Sequence, residues 1–177
     1  IKEVSHGSHT NQNSVYWHRG LDSIAMTYNL SPHFTLAELT KSDTAIRMGI
    51  FNEPEPYHYP ALERLCRTIL EPVRAHFGMA FSPSSGFRRP SLCEAIGSSR
   101  KSQHTKGEAA DFELPGIDNH LVASWIRDNL DFDQLILEGY TDDDKNSGWI
   151  HCSTTGDGNR KEVLRYHRDT GYLQGLD

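Results

Sequence analysis

A chain of 177 residues has room for one domain with a hydrophobic core and for an appended tail. Hydrophobic residues at 36% and charged residues at 24% are the proportions of a globular protein, and a formal charge of −6 argues against the broad basic surface that a nucleic-acid partner needs. The cysteines, Cys66, Cys93 and Cys152, make no CxxC pair, and no apolar run approaches the roughly 18 residues of a membrane span, so a disulfide framework, a thiolate metal site and a transmembrane helix are not expected.

Residues 1–30 are rich in Ser, Asn, His and Gly and show no steady period. They read as an arm or docking tail for a protein partner, with Tyr16, Trp17, Ile24 and Met26 as anchors. His6 and His9 belong more simply to that tail than to a metal pair. No basic stretch followed by an apolar run stands near Ile1, so no secretion signal is read. The expectation is synthesis in the cytoplasm, with another agent carrying the protein to any substrate outside it.

Residues 31–177 read as one domain. Phe34-Thr35-Leu36-Ala37-Glu38-Leu39 opens it with a capping box between Thr35 and Glu38 and a hydrophobic staple between Phe34 and Leu39. A loop follows, punctuated by Pro54, Pro56 and Pro60. From Ala61 to Phe77, Leu62, Leu65, Cys66, Ile69, Leu70, Val73 and Phe77 recur at helical spacing; Pro72 is expected to bend this helix and Gly78 to stop it. A strand near Ala80–Ser84, a turn Ser85-Gly86-Phe87-Arg88 and a short helix over Leu92–Ile96 come next. A polar loop from Ser98 to Gly107 then leads to a strand over Ala109–Leu114. Asp118 or Asn119 caps a helix with an inner stripe of Leu121, Val122, Trp125, Ile126 and Leu130. Strands over Asp133–Glu138 and Trp149–Ser153 flank an acidic loop, and Glu162–Tyr172 adds an edge strand. Helices first and strands later predict an α+β domain, with helices packed on one face of an antiparallel sheet.

The chemistry concentrates in two of these strands. Alternation places Ala110, Phe112 and Leu114 on the core face and Ala109, Asp111 and Glu113 on the other. In Trp149–Ser153, Ile150 and Cys152 read as core, while His151 shares the opposite face with Trp149 and Ser153. If the strands are neighbours, His104, Asp111 and His151 converge on one cation. Two imidazoles and a carboxylate with a fourth position open suit zinc, Zn2+. Glu138 is the expected general base, with Asp142, Asp143 and Asp144 in reserve, and Arg88 the expected partner of an oxyanion or a substrate carboxylate. His33, His58, His76, His120 and His167 read as surface.

Ser102–Asp111 matches the pattern SxHxxGxAxD, and with Phe34–Leu39, Leu70–Arg74, Ser85–Arg88, Asp133–Ile136 and Gly148–His151 it resembles the peptidase M15 family of zinc D-Ala-D-Ala carboxypeptidases. The likeness is greatest to a branch common in phages and prophages. It implies a hedgehog- and D-Ala-D-Ala-peptidase-like zinc fold and cleavage of peptide bonds in peptidoglycan stems. By the same resemblance, His104, Asp111 and His151 are the zinc ligands, Arg88 contacts substrate or the transition state, and Glu138 matches the acidic residue of the preceding strand. The chain departs from the pattern at Gly148, where some relatives carry the Glu of an ExxH motif, and at Trp149, where many carry His. Cys93 and Phe87 stand where Asn and Tyr are common.

Two functions compete on this reading. One is a zinc metallopeptidase of the carboxypeptidase or endopeptidase (endolysin) type, acting on the cell wall and phage-delivered. The other is a non-catalytic, zinc-stabilised wall- or protein-binding module, such as a virion component. Three ligands with an open corner favour hydrolysis, because structural zinc is usually closed by four.

Overall fold

The computed structural model describes residues 28–176. The proposed anchors Tyr16, Trp17, Ile24 and Met26 and the His6 and His9 pair lie outside them. At the end of the arm, Tyr28 donates a hydrogen bond to Glu63 at 2.7 Å and Leu30 is fully buried.

Helix α1 (Leu36–Thr40) starts as its sequence dictates: the Thr35 hydroxyl accepts from the Glu38 N–H and the Glu38 carboxylate accepts from the Thr35 N–H. Phe34 and Leu39 are both fully buried beside it. Helix α2 (Asp43–Met48) follows, capped by Ser42. The long amphipathic segment begins at Tyr59, two residues ahead of the expected start, because Pro60 is tolerated in a first turn whose N–H groups have no helical partner. It runs as α3 (Tyr59–Leu65), a π turn (Cys66–Leu70) and α4 (Glu71–Phe77). Pro72 acts here, one turn earlier than a simple bend. With no N–H and a ring that crowds the preceding turn, it is accommodated by a widened turn in which the Glu71 N–H reaches back five residues to the Cys66 carbonyl. Leu62, Leu65, Cys66, Ile69, Leu70 and Val73 are all buried, as their spacing requires.

After helix α5 (Pro90–Ala95) and a 3-10 turn (Gln103–Lys106), five strands form one sheet among the described residues. They are β1 (Ala109–Phe112), β2 (Gln134–Glu138), β3 (Trp149–Ser153), β4 (Glu162–His167) and β5 (Gly171–Gln174), ordered β1-β3-β2-β4-β5. The α+β class is as read. The sheet is mixed, though, and not purely antiparallel: β2 and β4 run parallel, Ile136 opposite Leu164. Strand β3 already occupies one side of β2. The returning chain is tied to the start of β2, where the Lys161 N–H bonds to the Phe132 carbonyl and the Glu162 N–H to the Asp133 carbonyl, so β4 must run the same way as β2. The segment expected as one edge strand is therefore two, with β4 internal and β5 at the edge. Ala80–Ser84 is not a strand. Pro83 removes a ladder donor there, and the segment touches the sheet through a Ser85–Asp111 bridge.

Helix α6 (Asn119–Asn129) is capped by the Asp118 carboxylate, which accepts from the His120 N–H at 2.9 Å. It packs on β2 and β3 through Val122, Ala123 and Ile126; Leu121, expected inside, is 55% exposed because the buried face turns one position further along. Ala110, Phe112, Leu135, Leu137, Ile150 and Cys152 share one core with α3 and α6, so the helices cover one sheet face and leave the other for Asp111, Glu138 and His151. No helix among the described residues is long and apolar enough to cross a membrane.

The β2–β4 junction rests on Asp133, 2% exposed, which accepts from the Arg160 N–H, Nε and Nη2 at 3.1, 3.0 and 2.7 Å and from Gln103 Nε2 at 3.0 Å. The Arg160 hydrogen bonds hold the Asp133 carboxyl below its ordinary value. Its contribution to stability is therefore complete at neutral pH and is lost as pH falls through that depressed pKa. Asp133→Ala is expected to cost about 1–3 kcal/mol at pH 7 and less at acid pH, read as a gap between melting curves that narrows on acidification.

Candidate metal centre and active-site cleft

Each member of the predicted triad arrives from a different element. Register sets Asp111 of β1 directly opposite His151 of β3, which is itself opposite Ile136 of β2. His104 comes from the 3-10 turn, and its Nδ1 lies 2.6 Å from the Gly86 carbonyl. A carbonyl can only accept, so this nitrogen carries the proton and the Nε2 lone pair faces the other two residues. His104 Nε2 lies 3.2 Å from Asp111 Oδ1 and 3.2 Å from His151 Nδ1, and His151 Nδ1 lies 2.9 Å from Asp111 Oδ1. Among the described residues, no other trio of His, Cys, Asp or Glu side chains converges in this way.

That donor set is electron-rich. Burial drives the His104 ring towards its neutral form. Burial also opposes charge on Asp111, yet His104 and His151 outweigh it and hold the carboxylate well below its usual range. With its Nδ1 proton given to the Gly86 carbonyl, His104 turns the Nε2 lone pair towards the Asp111 carboxylate in a buried place, an arrangement that a cation would satisfy. Two nitrogens and an oxygen at zinc bond lengths sit about 3.3 Å apart in a tetrahedron, close to the edges seen here. The residues present fit a zinc ion. Cys152 does not take part: it pairs across the core face with Ala110 and Leu135, and burial raises its thiol pKa.

Arg88 reaches the site from the turn ahead of α5, its Nη2 on Asp111 Oδ2 and its Nε on Ser85 Oγ at 2.7 Å. Two features that hold it escaped sequence reasoning. Buried Asn52 donates to the Phe87 carbonyl at 3.1 Å and accepts from the Arg89 N–H at 2.8 Å, clamping the turn. Gly86 is required by close approach, since a Cβ there would stand 2.4 Å from the Leu39 carbonyl oxygen. A lone Asn in a proline-rich loop carries no signal of such a role. The Ser-Gly-Phe-Arg run carried one, through resemblance alone.

Glu138 ends β2 opposite Trp149, one diagonal step from His151 on the same face. Burial pushes its carboxyl pKa up, and the Asp111 charge adds to the shift. Arg88, His104, Asp111, Glu138 and His151 all line one cleft of about 770 Å³. Asp142, Asp143 and Asp144 are exposed in the β2–β3 loop and do not line it, and neither do His33, His58, His76, His120 or His167. The model of the family described as Peptidase M15 matches residues 32–153, a span containing every one of these cleft residues. The chain belongs to the peptidase M15 family. No curated protein matches it closely enough for comparison.

Membership makes the chain a peptidase by family, and the geometry accounts for one departure from the M15 pattern. At Gly148, where some relatives carry an acidic residue, φ is +68° and a Cβ would lie 1.9 Å from the Glu138 carbonyl oxygen. No side chain fits there, and the carboxyl that lines this cleft beside Asp111 is that of Glu138 on β2. Gly148→Ala is expected to part the ends of β2 and β3 and to cost more than about 2 kcal/mol, measured by chemical denaturation.

Proposed function

We propose that this protein is a zinc-dependent metallopeptidase that hydrolyses peptide bonds in peptidoglycan stem peptides. His104 Nε2, Asp111 Oδ1 and His151 Nδ1 would hold the ion. The observation that carries the reading is their convergence in a cleft that also contains a half-buried carboxyl, Glu138, and a guanidinium.

A zinc ion there supplies Lewis-acid polarisation of the scissile carbonyl and activation of water. The rest falls to the chain. The Gly86 carbonyl fixes the His104 tautomer, and β1–β3 register fixes the spacing of Asp111 and His151. Glu138 takes the proton from the attacking water and returns it to the leaving amine, a role served by a carboxyl whose pKa burial has raised. Arg88 orients Asp111 through Nη2, and its other N–H groups are available to the oxyanion or to a substrate carboxylate. On this reading the protein works at the cell wall, as a carboxypeptidase or endopeptidase, with a phage as a fitting carrier.

The test is mass spectrometry of purified peptidoglycan digested by the protein, with metal analysis of the same sample. New stem-peptide termini alongside about one zinc per chain are expected from a three-ligand catalytic site. Bound zinc with no new termini would point instead to a non-catalytic binding module.

A further inference from the structure

Beyond the polar centre, the cleft has a second, aromatic side. Register places Trp149, Glu138, Tyr166 and Tyr172 opposite one another in a single row across β3, β2, β4 and β5. All four line the cleft. The Tyr166 and Tyr172 rings lie 4.6 Å apart between centroids, tilted by 42°. Trp149 and Tyr172 remain 41% and 61% exposed. Solvent-facing rings in a row beside a candidate catalytic centre call for a ligand with a broad apolar face. The cleft lining also includes Ser98, Ser99, Ser102 and Lys101, which bring hydroxyl groups and an ammonium. Strands β4 and β5 lie beyond the residues matched by the family model, so the two tyrosines are an addition to that matched segment.

We infer that this aromatic row, completed by the β4–β5 hairpin, binds a sugar ring of the glycan strand to which the stem peptide is attached. The inference rests on the peptidoglycan reading above. Stem peptides carry methyl groups, carboxylates and amines and have no broad apolar face. A pyranose has one, made of C–H groups, with a rim of hydroxyls that suits the serines of the lining. Position agrees as well. Tyr166 stands two strand spacings across and two residues along from His151, about 12 Å away, which an extended peptide covers in about four residues. A sugar on the tyrosines and a stem bond at the triad can therefore belong to one molecule. The cleft volume, about 770 Å³, lies in the upper half of the range of about 300–1,000 Å³ for ligand sites and exceeds what a lone dipeptide fills.

Calorimetric binding to the full chain tests this, with a disaccharide-linked tripeptide and the same tripeptide free. The wild type is expected to bind the sugar-bearing ligand at least about tenfold tighter, in keeping with aromatic contacts of ordinary strength. Tyr172→Ala should bring the two ligands within about twofold without weakening the free peptide, while Tyr172→Phe keeps the preference. Because Tyr172 is exposed, matched melting curves will show that the fold is intact. Equal affinity of the wild type for both ligands would overturn the assignment, as would an equal loss for both in Tyr172→Ala. Binding with the sugar preference but no new stem-peptide termini from whole peptidoglycan would sink the hydrolase reading and leave this one standing. Cleavage of both with no preference would do the reverse.

Discussion

Stripping divalent metal from the protein is expected to abolish peptide-bond cleavage, and stoichiometric zinc to restore it. The effect should be near total, because the Arg88 N–H groups not taken by Ser85 and Asp111 can hydrogen-bond an oxyanion but cannot activate water. His151→Ala should do the same without a chelator, since it removes one of three protein donors and leaves Asp111 buried beside one imidazole. Metal content and turnover of stem peptide, followed together during chelator titration, decide the matter. Turnover that persists after zinc has left would remove the triad from catalysis.

The second large effect is expected at Glu138. Glu138→Gln keeps the shape and the hydrogen-bonding groups but cannot take a proton, so kcat should fall by about 10²–10⁴-fold while zinc content stays unchanged. The pH profile carries an independent signature. A base must be ionised, so kcat/KM in the wild type rises with pH through the Glu138 pKa. Burial and the Asp111 charge raise that pKa, so the limb lies above the ordinary carboxylate value of 4.5. Glu138→Gln should lack it. Undiminished turnover in this variant would transfer the role of base to another group, and the exposed Asp142–Asp144 loop is a poor source because it does not line the cleft.

The elements read most accurately from sequence are those governed by neighbours along the chain. The Thr35–Glu38 capping box spans three residues, the stripe from Leu62 to Val73 repeats every turn, and alternation in Trp149–Ser153 assigns each side chain a face. These signals also set the candidate site, because alternation alone puts Asp111 and His151 on the non-core side whatever strands they pair with. The errors have the opposite character. Ala80–Ser84 has the residues of a strand but carries Pro83, and it meets the sheet at a single bridge. Leu121 has the hydrophobicity of a core residue, but α6 is rotated by what it packs on.

Sequence alone, then, determined the capped helix start at Thr35, the strand faces and the residue types able to ligate a cation, since each is set by interactions a few residues long. Tertiary structure decided the parallel course of β4 along β2, the engagement of Arg88 with Asp111, the Asn52 clamp and the row that joins Glu138 to Tyr166 and Tyr172. Those contacts join residues far apart along the chain. Which distant groups meet depends on how the elements fill one shared core, and no local pattern carries that information.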